Sequence, residues 1–431
     1  MNSLRKHVII RLQIGGFFMK KLDLKPFDMD KKPVRESRLL MPLAWVLSYP
    51  TIWRKKLKIN KVNMTGLKPP YVLLCTHHAF IDFKVTTAAT FPTRLNYIVA
   101  IDGFLFGEKL LRSVGAICKR KFTNDIKLVK HIKYVLNDLK GVCAIYPEAR
   151  YSIVGTNAIL PESLGKLVKN LGHPVVVLNM HGNYLSQPQW NLKMKHNIPL
   201  AADMTQLLTK ADLEALPIDV INQKINDAFK YDEYQYQYEN QYINKYKYRL
   251  EGIESVLYQC PNCHTSHQML AKENRLTCQA CNTTYVQDFY GKMKKTFGDT
   301  EFSHIPDWYE YERQNVRKEI LSGQYHFEDD VYVEALPNAK GFHVLGDMKL
   351  VHNEHGFKLT GTVNDQPFEL IKEPLSMYGL HIEYNYKGKG DCIDLSTLDN
   401  TYYIYPKTQK QVVTKLHFAV EELYKIKKSS I

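Results

Sequence analysis

The chain has no long uninterrupted apolar run among its 431 residues. Its longest apolar stretch, residues 39–53, is interrupted by Pro42 and Pro50 and falls short of the roughly 20 residues that a helix needs to cross a bilayer. Residues 1–18 also lack the continuous apolar segment and the cleavage site of a secretory signal peptide, because Arg11 breaks their short hydrophobic part. We therefore expect neither a transmembrane helix nor export.

Cysteine is scarce outside one short window, and it does not form a disulfide framework. Four of the eight cysteines are scattered among apolar neighbours: Cys75, Cys118, Cys143 and Cys392. We interpret these four as small buried side chains in a reducing compartment. This interpretation predicts a cytoplasmic protein, and the aromatic and basic residues 39–58 predict that it is peripheral on the inner face of the cell membrane.

The other four cysteines form two C-x-x-C pairs separated by fourteen residues: Cys260, Cys263, Cys278 and Cys281. Two such pairs supply the four thiolates that hold Zn²⁺ tetrahedrally. Because four thiolates leave no open coordination position, we expect a structural zinc ribbon that stabilises a module too small to hold its own core. His264 and His267 are spare ligands at most. A redox role for the two pairs is the alternative.

Acidic residues are in deficit, since 44 Asp and Glu face 58 Lys and Arg and leave a formal charge of +14. Such a balance favours an anionic partner, which is a phosphate ester, an acidic lipid or a nucleic acid. The apolar stretch carries Trp45, Tyr49 and Trp53, and a basic segment follows at residues 54–58. This pattern suits a helix lying in the headgroup layer of an anionic membrane surface. A helix pair packed on the core is the alternative.

Between residues 71 and 184 short apolar runs alternate with helical patterns, which predicts an α/β sheet. The apolar runs are Tyr71 to Cys75, Tyr97 to Ala100, Gly115 to Cys118, Val142 to Tyr146 and Pro174 to Met180. Apolar residues recur at helical spacing from Ile126 to Leu139, with lysines on another face. We expect this helix to cover one side of the sheet.

A helical segment follows the sheet. Residues 209–212 resemble a capping box, and we expect one helix to follow it through residues 218–229. The tyrosine-rich residues 231–248 form either a stacking surface for bases or a stretch with one edge packed on the core, and we favour the packing. A further helix is expected around residues 308–321.

Strand patterns return between residues 331 and 405, punctuated by Gly, Asn-Asp and Pro. They include separate runs at 342–345 and 348–352, and a helix is expected from about 411 to 425. Several strands closed by one amphipathic helix predict a β-rich domain of the pleckstrin-homology kind.

The most informative local pattern is His77 five residues before Asp82, a spacing expected about once by chance in this chain. Five residues along a helix turn about 500°, so the two side chains meet only if a turn separates them. An apolar strand ends at Cys75, and Asp82 suits the first turn of a following helix. The carboxylate would then hold one imidazole nitrogen and leave the other to accept a hydroxyl proton. His78 is the rival base, and a plain polar turn is the alternative.

This block resembles the first motif, N-H-x-x-x-x-D, of the 1-acylglycerol-3-phosphate acyltransferase family, with Thr76 in place of the usual Asn. Residues 115–120 (G-A-I-C-K-R) are similar to the second motif, which ends a strand with a Gly and an Arg. Residues 146–150 (Y-P-E-A-R) are similar to the third, F-P-E-G-x-R, without its Gly and with the Arg one residue early. Residues 173–177 (H-P-V-V-V) are similar to the fourth, an apolar strand preceded by Pro. The four blocks stand in the family's order.

The resemblance covers roughly residues 40–185 and implies an O-acyltransferase. Such an enzyme moves a fatty acyl group from an acyl-CoA or acyl carrier protein thioester to the hydroxyl of a lysophospholipid or glycerol phosphate. It implies that His77 is the general base oriented by Asp82, and that Glu148 binds or positions the glycerol part of the acceptor. It also implies that Arg120 and Arg150 bind the phosphate, for which paired guanidinium donors are suited.

We thus expect an α/β fold with a glycerol-phosphate-acyltransferase-like sheet covered by helices. The expected parts are an N-terminal basic region (1–60), an acyltransferase domain with a helical extension (61–255), a zinc ribbon (256–290), a helical linker (291–325) and a β-rich domain (326–431). The expected partners are an anionic membrane surface, the acceptor and, as one possible donor, an acyl carrier protein. The alternatives are a zinc-ribbon nucleic-acid-binding protein and a docking module on a degenerate α/β scaffold.

Overall fold

The computed structural model describes residues 25–194 and 198–430, so the expectations for residues 1–18 lie outside the described residues. The fold is mixed α/β, with a largely parallel sheet, a small ribbon sheet and a C-terminal antiparallel sheet. The sequence predicts these three kinds of structure in the same order along the chain. The division into separate domains stays a prediction.

The first sheet has seven strands in the spatial order β1-β7-β6-β2-β5-β3-β4. All neighbouring pairs are parallel except β6 and β7, which are antiparallel. The strands are β1 Lys58–Val62, β2 Tyr71–Cys75, β3 Leu95–Ala100, β4 Ala116–Lys119, β5 Val142–Ile145, β6 Val175–His181 and β7 Ala201–Leu208. The five predicted runs correspond to β2 through β6. β1 and β7 were not predicted, because β1 is mostly exposed and β7 alternates buried with half-buried residues, so neither is a continuous apolar run.

Helices cover both faces of this sheet. They are α1 Leu40–Arg54, α2 Asp82–Thr90, α3 Glu108–Ser113, α4 Ile126–Asn137, α5 Ser163–Leu171, α6 Asn183–Ser186, α7 Lys210–Ala215, α8 Ile218–Ala228 and α9 Glu233–Glu239. Alternate residues of β2 point to opposite faces, as expected for a strand. Val72 and Leu74 join the apolar cluster of α4, α5 and α8, whereas Leu73 and Cys75 join that of α2.

The capping box at residues 209–212 is present, since the Thr209 and Asp212 side chains accept from each other's backbone N–H groups. The expected single helix after it is wrong, however. Pro217 has no N–H and stands between α7 and α8, so it ends the first helix and starts the second. In the described part of the chain, no helix is both long enough and apolar enough to cross a membrane.

The ribbon and the C-terminal sheet complete the fold. Their elements are β8 Met269–Lys272, β9 Arg275–Cys278, β10 Thr284–Gln287, β11 Met293–Lys295, α10 Ile305–Leu321, β12 Phe327–Ala335, β13 His343–Asn353, β14 Gly356–Val363, β15 Gln366–Lys372, β16 His381–Glu383, β17 Cys392–Ser396, β18 Thr401–Pro406 and α11 Val413–Ser429. The C-terminal sheet is antiparallel, in the order β15-β14-β13-β12-β18-β17-β16. The two runs expected at 342–345 and 348–352 are one strand, because Gly346 lies in a bulge rather than a turn.

Arg120 joins the first sheet to the C-terminal sheet. Its side chain is buried, and its two terminal nitrogens donate to three backbone carbonyls and one hydroxyl of the C-terminal part, which belong to Leu336, Pro337, Asp399 and Thr401. A guanidinium presents several donors in a fixed plane, so it can satisfy such a group of acceptors where a shorter or apolar side chain cannot.

We predict that Arg120→Met destabilises the protein by about 3–5 kcal/mol, because four buried acceptors lose their donor. Urea unfolding of the full chain measures the change. Arg54→Met, at an exposed position, is the control and should change the unfolding free energy by less than about 0.5 kcal/mol. If both substitutions have equally small effects, the junction does not depend on Arg120.

Candidate functional site

The candidate site lies where three strands of the first sheet end. In parallel sheets the carboxyl ends of neighbouring strands meet at one edge, which is where α/β proteins bind their ligands. Here His77 follows β2, Glu148 follows β5 and Asn183 follows β6. These segments are distant in sequence, and the sheet brings them together.

The His77 imidazole contacts the carboxylate predicted to orient it. Nδ1 of His77 lies 3.0 Å from Oδ2 of Asp82, and the side chains are 24% and 2% exposed. The turn that this contact requires is present, since Asp82 is the first residue of α2. A carboxylate oxygen accepts, so the neutral imidazole carries its proton on Nδ1. Nε2 has no hydrogen-bond partner among the described residues, which leaves it available as an acceptor.

Asp82 is fixed by donors on both of its oxygens. Besides His77, Oδ2 accepts from the backbone N–H of His78 at 2.6 Å and of Ala79 at 3.1 Å. Oδ1 accepts from Nδ2 of Asn183 at 2.8 Å. The two backbone contacts close the turn between β2 and α2, and Asn183 holds the carboxylate from the end of β6. Asp82 therefore presents a single orientation to the imidazole.

The backbone of His77 is held on both sides. Its N–H donates to Oε1 of Glu148 at 2.9 Å, and its carbonyl accepts from the N–H of Ser152 at 2.8 Å. The rings of Tyr146 and Tyr151 lie 4.5 Å and 4.4 Å from the imidazole centroid. These contacts restrict the position and the rotation of the imidazole.

Glu148 is a buried scaffold for this segment. Its other oxygen, Oε2, accepts from the N–H of Ala158 and from the hydroxyl of Tyr231, and the residue is 1% exposed. Burial raises the pKa of Glu148, and the neighbouring His78 and the two backbone donors oppose this rise. Both of its oxygens are occupied by the protein, so contact with a glycerol group, expected from the resemblance, has no support in this geometry.

Ala149, in the turn after β5, stands where the third motif has Gly. Ala149 has φ of +57°, a left-handed conformation that glycine adopts most readily, and its N–H bonds to the Tyr146 carbonyl. We expect a local strain of about 1–2 kcal/mol at this position.

His78, the rival base, is buried away from solvent. Its ring stacks on Tyr231 with centroids 4.2 Å apart, and Nδ1 lies 3.9 Å from Glu233. Burial alone would lower the pKa of His78, but the Glu233 carboxylate, together with Asp82 and Glu148, raises it. His78 is 0% exposed, so a substrate hydroxyl cannot reach its ring nitrogens.

The two predicted phosphate ligands make their contacts in different parts of the fold. Arg120 follows β4 at the far edge of the sheet, and the C-terminal acceptors occupy its terminal nitrogens. Its assignment to phosphate therefore has no geometric support. Arg150 is 6% exposed and pairs with Glu421 of α11 at 3.3 Å.

We call His77 and Asp82 the dyad. The sequence did not predict the residues that contact and orient the dyad from other segments of the chain, which are Asn183, Ser152, Tyr146 and Tyr151. One signal was available: Asn183 follows a predicted strand at the same sheet edge as His77, where polar residues are commonly functional. The tyrosine tract packs as favoured, because Tyr231 and Tyr234 are buried whereas Tyr238 and Tyr248 remain partly exposed.

The four cysteines of the two C-x-x-C pairs form a group that is compatible with a zinc ion. Their sulfur atoms all lie within 4.8 Å of one another. The Sγ–Sγ distance is 3.8 Å for Cys260–Cys281 and 3.7 Å for Cys263–Cys278. Zn–S bonds of about 2.3 Å in a tetrahedron require sulfur separations of about 3.8 Å. The donor set and its spacing fit Zn²⁺.

The spare histidines have other partners. Nδ1 of His264 bonds to the Tyr311 hydroxyl at 2.7 Å, and His267 stacks on Tyr258. The ribbon packs on α10, where the Trp308 indole donates to the Gln259 carbonyl at 2.9 Å. A bound zinc ion would thus support the packing of α10 as well as the ribbon.

No protein-family model matches the chain, and no curated protein matches it. Among solved structures, the chain is similar to the 1-acyl-sn-glycerophosphate (LPA) acyltransferase PlsC from Thermotoga maritima, with 10% identity and a TM-score of 0.37. The match covers 44% of this chain and 78% of that chain. A likeness of this strength carries no argument about function.

We predict that the purified chain contains about one zinc ion. Cys263→Ser should abolish zinc binding and lower the melting temperature, because the ribbon depends on the metal for its core. Elemental analysis and calorimetry measure the two effects. Cys143→Ser, in β5, is the matched control and should retain zinc. Equal zinc content in both variants would contradict the four-thiolate site.

Proposed function

We propose that the protein is an O-acyltransferase that moves a fatty acyl group from a thioester to the hydroxyl of a lysophospholipid or glycerol phosphate. The observation that carries the proposal is the 3.0 Å contact between His77 and Asp82 at the carboxyl edge of the sheet. The ordered resemblance of four sequence blocks to the acyltransferase family gives the reaction class. The acyl donor is either acyl-CoA or an acyl carrier protein thioester.

His77 would act as the general base. Nε2 takes the proton of the acceptor hydroxyl while that oxygen attacks the thioester carbonyl carbon and forms a tetrahedral intermediate. When the C–S bond breaks, the imidazolium returns the proton to the departing thiolate. The proton balance closes, and the histidine ends in its starting state. Asp82 stabilises the imidazolium and keeps Nδ1 protonated throughout.

The environment of His77 supports this role. The imidazole is partly exposed, so a hydroxyl can reach Nε2, whereas Asp82 is shielded from water. Electrostatic interactions are stronger in such shielded surroundings. Asn183, Glu148 and Ser152 position the dyad but do not face the solvent side, and we assign them no proton transfer.

The acceptor phosphate is proposed to bind Arg150 rather than Arg120. Arg120 has its terminal nitrogens bound to protein acceptors, so a phosphate would have to displace four contacts at once. Arg150 makes two such contacts rather than four, with the Tyr151 carbonyl and the Glu421 carboxylate, and it borders an open cavity. A guanidinium at that position is suited to a phosphate.

A membrane surface is the proposed location of the acceptor. Leu43, Leu47 and Trp53 of α1 are 51%, 66% and 70% exposed. The helix packs on α2, whose first residue is Asp82, through a 2.8 Å bond from Nζ of Lys84 to Thr51. An exposed apolar helix flanked by basic residues favours an anionic lipid surface. A lipid acceptor arriving there would be close to the dyad.

We predict that His77→Ala lowers kcat for acyl transfer by about 10²–10⁴. Asp82→Asn should also lower kcat strongly, because the amide no longer enforces the reactive tautomer. The measurement is product formation by the purified full chain with lysophosphatidate and acyl-CoA or acylated carrier protein.

The control for this experiment is His355→Ala, a substitution at an exposed histidine far from the dyad in sequence. Its kcat should equal that of the wild type. Circular dichroism and zinc content must match in all variants. Near-normal turnover by a folded His77→Ala protein would eliminate the dyad as the catalytic unit.

We predict that Leu47→Glu weakens binding to anionic phosphatidylglycerol vesicles by roughly tenfold or more, because an apolar contact of about 1.5–3 kcal/mol is lost. Vesicle cosedimentation measures the affinity. Leu321→Glu makes the same chemical change at a position on α10 that is 63% exposed, and it should bind as the wild type does. If the two variants lose equal affinity, α1 is not the binding surface.

A further inference from the structure

An open cavity of about 330 Å³ lies between the loop at residues 150–159 and the helices α10 and α11. Neither His77 nor Asp82 lines it. Its volume is at the lower end of the range typical of small-ligand sites. Both helices lie beyond residue 185, where the family resemblance ends, so nothing in the sequence blocks predicted this cavity.

Among the charged residues that line the cavity, cations outnumber carboxylates. Arg150 and Arg313 share the buried carboxylate of Glu421 beneath it. Arg317 and Lys425 share the carboxylate of Glu422, at 2.8 Å and 2.7 Å. Two buried carboxylates therefore serve four cations.

The remaining carboxylate of the lining, Glu310, is 55% exposed and pairs with Arg313 at 3.1 Å. Being solvated, it offsets little of the positive charge deeper in the cavity. Arg317 and Lys425 are 37% and 43% exposed, so both can turn toward a ligand without unfolding a helix. Asn157 adds an exposed amide to the rim.

We propose that this cavity binds a phosphate monoester, with Arg150, Arg317 and Lys425 as its ligands. Several cationic donors converging on one small polar cavity fit the three oxygens of a terminal phosphate better than the two of a carboxylate. The inference rests on the proposed function, in which Arg150 contacts the acceptor phosphate. It adds that two helices outside the acyltransferase-like block supply the other cations.

Occupancy of the cavity would also act on the dyad through the shared loop. Ala158 lines the cavity, and its N–H donates to Glu148, whose other oxygen holds the His77 N–H. Ser152, between Arg150 and Ala158, bonds to the His77 carbonyl at 2.8 Å. A phosphate that fixes Arg150 would thereby stabilise both backbone contacts of His77.

The test is calorimetric titration of the full-length, zinc-loaded protein with three phosphate probes. Inorganic phosphate measures the bare anion, glycerol 3-phosphate represents the lipid headgroup, and adenosine 3′,5′-bisphosphate represents a soluble nucleotide. Preference for the second or third probe identifies the source of the phosphate, and either preference supports the site.

The variants separate a binding site from an ion-pair network. The double substitution Arg317→Gln with Lys425→Gln should lower the affinity for the tightest-binding probe by about tenfold or more. Glu422→Gln should raise the affinity for the same probe severalfold, because the carboxylate that competes for both cations is removed. Lys427→Gln, an exposed lysine on the same helix, is the control and should bind as the wild type does.

Absence of saturable binding by all three probes, or equal binding by the wild type and the double variant, would overturn the proposal. Failure of this site and failure of acyl transfer are distinguishable. Phosphate binding without acyl transfer would support the phosphate site and contradict the proposed enzyme activity. Acyl transfer with unchanged kinetics in the double variant would support the enzyme activity and contradict the phosphate site.

Discussion

The buried carboxylate of Glu148 is the contact on which the candidate site depends. One of its oxygens holds the N–H of His77, and the other holds Ala158 and Tyr231. It thus joins the end of β2, the loop after β5 and the start of the tyrosine-rich segment. Without this acceptor, the N–H of His77 would be partly buried without a partner, and the loop that carries Tyr151 would lose its anchor.

Two buried arginines join the C-terminal part to the first sheet and the loop after β5. Arg120 donates hydrogen bonds to carbonyls of that part, and Arg150 pairs with Glu421 of α11. Two arginines that the sequence blocks present as a pair thus serve different junctions. The C-terminal helix is therefore part of the surroundings of the loop at residues 150–159, and it contributes charge to the cavity there.

Local patterns were predictable and distant partners were not. The strands β2 to β6 are continuous apolar runs with polar ends, and His77 and Asp82 are five residues apart, so chain geometry alone limits how they can meet. Asn183 contacts Asp82 across 101 residues, and Arg120 reaches Leu336 across 216. No periodicity or spacing encodes such contacts, because they depend on how whole layers pack. The strands β1 and β7 were missed for a related reason, because polar residues interrupt their apolar pattern.

The most direct test of the account is an acyl-transfer assay with the purified, zinc-loaded protein and a panel of acceptors. The panel contains lysophosphatidate, glycerol 3-phosphate and monoacylglycerol, each with acyl-CoA and with acylated carrier protein. We predict acylated product from a phosphate-bearing acceptor, at a rate at least about tenfold above that with monoacylglycerol. Absence of acylated product from every pair of donor and acceptor, by a protein shown to be folded, would contradict it.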